Sequence, residues 1–216
     1  MCASYGLQLL PEDLEDFPTL NEKTLDSTVA EWFHENFGTV VRPTGINLRN
    51  LNPIVRGDRF ELAWWGRIVD GAPAEFPSIN SRLERVQERP GMANQRALIP
   101  ATGWYEYQKP TKTRYAMASG IPFAFAGLTT SGRLADGSIY TCYSIITGPA
   151  APQLEVIHDR MPLVIPSEFF DEWLDPDAQG SRALVDAAIT AHESIADGFS
   201  ARLAPTAKQA TRPALF

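Results

Sequence analysis

Apolar and polar residues alternate in short runs through the middle of the chain, and few stretches repeat at helical spacing. Segments 60–66 (FELAWWG), 96–100 (RALIP), 103–107 (GWYEY), 114–118 (RYAMA), 122–128 (PFAFAGL) and 139–147 (IYTCYSIIT) are rich in aromatic and β-branched residues and punctuated by Gly and Pro. Such runs predict strands. Helical spacing is sparser. Leu25 with the Trp32/Phe33 pair makes one stripe over 24–33, and 80–89 reads as a helix that stops at Pro90-Gly91. Ser167 predicts an N-cap for FFDEWL, where Phe170, Trp173 and Leu174 fall at i, i+3 and i+4. A further helix is expected over 181–196. Many strands at short spacing with few helices predict an α+β fold built on a curved, mainly antiparallel sheet. One domain is expected over residues 1–200, followed by a loose Pro- and Ala-containing tail over 201–216. No strand–helix alternation and no GxGxxG supports a dinucleotide-binding fold.

Composition narrows the class. The chain has 216 residues, 44% of them hydrophobic, with five Trp and eleven Phe, which suits a packed domain and excludes a disordered one. No run approaches the roughly 18 apolar residues of a membrane span. The N-terminus turns acidic after its apolar residues and lacks a basic segment, so neither a signal peptide nor a membrane partner is expected. Two cysteines 140 positions apart make neither a disulfide framework nor a metal cluster. A cytoplasmic protein fits these features.

The net charge of −7 argues at first against nucleic acid. Its distribution changes that. Residues 11–35 hold eight acids against one Lys, and 166–199 hold eight acids against one Arg. Residues 80–115 hold seven basic groups against three acids, a local net of +4. That stretch reads either as a solvated face or as a place for a phosphate chain.

Four residues stand out for chemistry. Cys2 follows the initiator Met, whose removal would leave an α-amine and a thiol on one small framework. With intrinsic pKa values of about 7.7–8.0 and about 8.5, both are partly nucleophilic near neutrality. Together they condense with an aldehyde, first as an imine and then, by sulfur closure, as a five-membered thiazolidine. The same thiol could serve an N-terminal hydrolase, or Cys2 could simply be second in the chain. Glu106, set among aromatics in GWYEY, reads either as half of an ion pair or as a carboxyl with raised pKa fit for proton transfer. His158, in the polar break of EVIHDRMPLVI, reads as a core histidine or a proton shuttle, and the neighbouring Arg160 can fork a phosphate. Asn80 falls at an expected loop-to-helix junction, as an N-cap or a site residue. His34 and His192 read as surface residues.

Taken in order, the MC start, the WWG strand, INSRLE, RALIPATGWYEY, FAGL, IIT and IHDRMP resemble the SOS response-associated peptidase (SRAP) family, from Cys2 to about Trp173-Leu174. The resemblance implies a barrel-like β-sheet core with peripheral helices. It implies a monomeric sensor of abasic sites in single-stranded DNA, nucleoid-associated when bound and needing no metal or organic cofactor. Its processed Cys2 would form the thiazolidine crosslink, and the same residue with Glu106 would carry autoproteolytic and lyase-type chemistry. Carried over by motif, Glu106 would open the sugar, His158 would move protons, and Asn80 would hold the N-terminus. Arg82 and Arg160 would contact the backbone, and Trp65 would stack on or wedge against a base. The chain departs from the family's usual C-G-R start, having Ala3-Ser4 after Cys2, and from its Y-N-x-A-P-T segment, having VVRPTG over 40–45. Arg42 stands there as a substitute contact. A Cys N-terminal amidohydrolase and an idle binding module of the same fold are the competing readings.

Overall fold

The computed structural model describes residues 2–43, 50–75, 78–109 and 111–204. The chain begins with strand β1 (Tyr5–Gly6), passes a 3₁₀ turn at Pro11–Asp16, α1 (Pro18–Asn21) and α2 (Ser27–Asn36), and returns as β2 (Val40–Val41). α2 starts three residues later than its apolar stripe suggests. The reason is local: the Asp26 carboxylate accepts from the Val29 N–H at 2.9 Å and so caps the helix there.

A hairpin follows, β3 (Leu51–Arg56) and β4 (Arg59–Trp65), with Gly57 at φ 61° in its two-residue turn. β3 was not predicted. Its Pro53 interrupts the apolar run and reads as a break, yet β3 pairs with β4 along its whole length. The short pair β5 (Ile68–Val69) and β6 (Ala72–Pro73) leads to β7 (Asn80–Arg82) and α3 (Leu83–Glu88). Asn80 is thus a strand residue rather than a helix cap. β7 lies parallel to a later strand, a long-range pairing that a local helix signal does not contain.

Then come β8 (Arg96–Pro100), β9 (Gly103–Tyr107), β10 (Arg114–Ala118), β11 (Phe123–Arg133) and β12 (Ile139–Pro149). The chain ends with α4 (Pro152–Glu155), β13 (Arg160–Pro162), β14 (Val164–Pro166), α5 (Phe170–Leu174), α6 (Arg182–Ala196) and β15 (Ser200–Leu203). Ser181 caps α6 by accepting from the Leu184 N–H at 3.2 Å, so the helix expected from residue 181 begins at Arg182. Ser167 instead opens a 3₁₀ turn without a side-chain cap bond.

Strands β12–β4–β3–β8–β11 pair in that order, and β11 pairs back onto β12, closing a five-stranded barrel. All these contacts are antiparallel except β12 with β4, and β7 adds to β12 in parallel. The fold is therefore the expected α+β domain with a barrel core. A second sheet, β15–β10–β9–β1–β2, covers one side. β15 carries this sheet to Leu203, past the expected boundary at residue 200, and residues 205–216 of the expected tail lie outside the described residues. Tyr5 joins the two layers: its ring packs edge-on against Trp65 of β4 (5.2 Å) and Phe125 of β11 (5.7 Å). Close packing at the barrel is tight enough that a Cβ on Gly127 would lie 2.1 Å from Ile99 Cδ1.

Candidate active site

The chain leads from Cys2 directly into β1, and the pairing of β1 with β9 decides what the N-terminus meets. Tyr5 opposes Trp104, and the Tyr105 N–H donates to the Ser4 carbonyl at 3.0 Å. Along β9 side chains alternate, so Trp104 and Glu106 share one face and Tyr105 takes the other. Trp104 packs on Phe125 and Phe199, which marks its face as the inner one. Glu106 is therefore carried inward and is 4% exposed. Burial pushes its carboxyl up to about 7, with the positive charge of the chain's amino terminus opposing the rise.

Cys2 is fully buried beside this carboxyl. Burial first, and the negative charge of Glu106 second, raise its thiol well above the ordinary range. The thiol donates to the Ser4 carbonyl over 3.7 Å. The main chain of Cys2 is held from the opposite side, where the Asn80 side-chain amide donates to the Cys2 carbonyl at 2.8 Å. Asn80 reaches it because β7 lies against β12, with Asn80 opposite Ile145, and because the Trp65 indole N–H fixes the Ile79 carbonyl at 3.0 Å. Asn80 Oδ1 is buried with no hydrogen-bond partner among the described residues. Beneath these groups Tyr5 and Tyr143 join hydroxyls at 3.1 Å. The arrangement stores sulfur as a thiol and puts next to it a carboxyl that exchanges protons near neutrality.

His158 follows α4 in a tight turn. Its Nδ1 accepts the Arg160 backbone N–H at 3.0 Å and lies 3.2 Å from Asp159 Oδ1. Burial lowers its pKa, and the charge of the amino terminus lowers it further. Glu106 and His158 both respond to Asp159, Lys109 and the amino terminus, so they share one electrostatic neighbourhood.

Asn80 and Tyr143 also line an open groove of about 590 Å³. Among the described residues four arginines line it, Arg67, Arg82, Arg85 and Arg89, with Met92 and Leu128 as apolar patches and no acidic side chain. Neither acidic stretch of the sequence contributes to it. Among the described residues no group of three His, Cys, Asp or Glu side chains is placed to hold a metal ion. No helix of the described residues is long and apolar enough to cross a membrane.

The family described as SOS response associated peptidase (SRAP) matches residues 1–199, which hold every element of this site. The chain belongs to that family. Among curated relatives it is 37% identical over 125 residues to the abasic site processing protein YoqW of Bacillus subtilis, covering 52% of this chain and 55% of the relative. It is 28% identical over 146 residues to the abasic site processing protein YedK of Escherichia coli, covering 62% of this chain and 59% of the relative. These matches thus span a little over half the length of each relative. A solved protein from Bacteroides thetaiotaomicron superposes with a TM-score of 0.73 at 19% identity, over 95% of this chain and 93% of that one. A phage-related protein from Bordetella bronchiseptica gives 0.67 at 24% identity, over 95% of each chain.

Within this SRAP chain the expected site residues fall into two groups. Cys2, Asn80, Glu106 and Arg82 lie at the groove or the buried thiol, and His158 shares with Glu106 the influence of Asp159 and Lys109. Trp65, Arg160 and Arg42 do not stand where expected. Trp65 is 1% exposed, stacked at 5.9 Å on Tyr143 and in contact with Tyr5, so it presents no free face to a base. Two aromatic neighbours from distant strands bury it. Arg160 directs its fork at Glu84 and at the Thr147 carbonyl instead of solvent. Arg42 is exposed, but its charge acts on Tyr105 and Arg114, on the face of β9 opposite Glu106. His34 is exposed as expected, whereas His192 packs inward and accepts the Val164 N–H at 3.1 Å. Sequence reading missed Arg85 and Arg89 individually, although the basic stretch 80–115 contains them. Arg67 carried no local signal, since only β4 and its pairing with β12 bring it to the groove.

Proposed function

We propose that this SRAP chain captures abasic sites in single-stranded DNA as a covalent adduct on Cys2 after Met1 is removed. One observation carries the reading: the Cys2 main chain is held by an Asn80 amide that also lines an arginine-walled groove, with Glu106 buried alongside. The names of the relatives, abasic site processing proteins, point the same way.

An abasic deoxyribose reacts only in its open aldehyde form. Glu106, titrating near neutrality, exchanges the proton that ring opening moves between ring oxygen and hydroxyl. The free α-amine of Cys2 attacks C1′, and loss of one water gives the imine. The thiol then passes its proton to the neighbouring base, and sulfur adds to the imine carbon while the nitrogen regains a proton. The product is a thiazolidine, one water lighter than protein plus DNA. His158 serves proton transfer at the departing and returning sugar oxygen, which bears on reversal. Autoproteolytic removal of residues ahead of Cys2 uses the same thiol and carboxyl. The four-arginine groove favours this reading over a small neutral amide as substrate.

The test is an incubation of processed protein with an abasic oligonucleotide, followed by denaturing electrophoresis and intact-mass analysis. A denaturant-stable adduct lighter by one water is expected. Cys2→Ser keeps the amine and loses the sulfur, so only an adduct trapped by borohydride is expected. An adduct equally stable with Ser would sink the thiazolidine.

A further inference from the structure

The groove uses only part of the basic stretch over residues 80–115. Of its seven cations, Arg82, Arg85 and Arg89 line the groove. Arg96 turns inward and donates to the carbonyls of Ala93, Trp173, Asp175 and Ala178. Arg114 is buried, its guanidinium 3.9 Å from the centre of the Tyr105 ring. That leaves Lys109 and Lys112, both exposed, on the turn between β9 and β10. Gln108 builds this turn. Its backbone N–H donates to the Thr113 carbonyl at 2.9 Å, its backbone carbonyl accepts from the Lys112 N–H at 2.8 Å, and its side-chain oxygen accepts from the Thr111 hydroxyl at 3.1 Å. Its side-chain amide donates to the Val156 carbonyl at 3.2 Å, which ties the turn to the segment that leads into His158.

Lys109 is thereby held three residues beyond Glu106, with Nζ 3.7 Å from Asp159 Oδ1, and its charge acts on both Glu106 and His158. The two side chains of this ion pair are 70% and 68% exposed, and a pair so solvated holds its partners weakly. An abasic nucleotide inside a strand has a phosphate on each side. The groove lies on the Asn80 side of Cys2 and takes one flank; Glu106 marks the other side. We infer that Lys109 is a phosphate contact for the second flank: the strand leaves the groove, crosses Cys2 and Glu106, and trades Asp159 for phosphate on the lysine ammonium. Lys112 adds to the same local field. A lysine suits this place, because a point charge on a flexible stem follows a phosphate without demanding one geometry. The register of the strand rests on the proposed capture at Cys2; the contact itself does not.

The test is fluorescence anisotropy of the full chain with an undamaged single strand over a salt series, for wild type, Lys109→Gln and Lys109→Arg. Lys109→Gln is expected to weaken binding severalfold and to reduce the log–log slope by about 0.7, the increment of one phosphate contact on a single strand. Lys109→Arg keeps the charge and is expected to match wild type. A second arm places one neutral methylphosphonate linkage at each position in turn around an abasic nucleotide and follows adduct formation at limiting strand concentration. One position is expected to slow the wild type severalfold and to leave Lys109→Gln unaffected. Wild-type slope and affinity in Lys109→Gln overturn the inference, even if its adduct forms more slowly, because the lysine would then act only on the charges of Glu106 and His158. Equal methylphosphonate responses of the two proteins at every position overturn it as well. Absence of any adduct in the wild type would overturn the proposed function, and the salt series, which needs no adduct, still decides the lysine contact.

Discussion

At Glu106 the proposed proton transfer comes with a cost in stability. Its carboxyl is pushed from 4.5 to about 7 because burial disfavours the charged form. A group whose folded pKa is raised contributes most below its unfolded value, and that contribution is lost as pH climbs through the folded one. Stability from this group should therefore fall between about pH 4.5 and 7, by about 3 kcal/mol. Glu106→Gln removes the titration, so denaturant unfolding near pH 8 should find it more stable than wild type. Chemistry moves the other way. Gln cannot exchange a proton, and general acid–base help is typically worth about 10²–10⁴ in rate, so adduct formation should slow by that order while strand binding persists. The wild-type rate should carry a titration near pH 7 that the variant lacks, leaving the variant only the rise from deprotonation of the Cys2 amine at about pH 7.7–8.0. Equal rates in the two proteins would make Glu106 structural.

At the level of elements, α6 is locked to β14 through a histidine. His192 accepts the Val164 N–H through Nδ1, and burial lowers its pKa to about 4 from 6.5. Here the linkage runs opposite to that of Glu106. The unfolded chain binds the proton first, so stability is full above about pH 6.5 and drains away as pH falls towards 4. The loss should be about 3 kcal/mol for this one buried ring. His192→Gln keeps an acceptor without a titration, so its stability should be flatter over that acidic range. Hydrogen exchange at the Val164 amide gives a local readout: acid should speed it in wild type more than in the variant. A parallel pH response of the two proteins would show that α6 is held by its apolar face alone.

The whole molecule is acidic, yet it offers one basic groove. Four arginines along a phosphate chain predict a salt dependence of about −0.7 per contact for a single strand, a log–log slope of roughly −3. Arg85→Gln should bring the slope to roughly −2 and weaken binding evenly across sequences, as fluorescence anisotropy over a salt series would reveal. A slope near zero would remove the groove from strand binding. Because net charge is −7, the groove field competes with a repulsive body, and binding to undamaged strands should be weak at physiological salt.

Much of this was written in local pattern. Alternation and aromatic content marked β4, β8, β9, β10, β11 and β12, since strand period and turn residues act over neighbouring positions. The MC start, a Glu framed by aromatics and a His in a polar break marked the candidate site, because a polar group among apolar ones must be paired or used. Tertiary structure alone decided the rest. Barrel closure turned Trp65 inward against Tyr5 and Tyr143, and carried β3 through Pro53. Parallel pairing with β12 made Asn80 a strand residue facing Cys2 instead of a helix cap. The meeting of α3 with β13 spent the Arg160 fork on Glu84, and the docking of α6 drew His192 off the surface. In each case the deciding partner is distant in sequence, and a side chain's surroundings depend on which surfaces the closed sheet brings together.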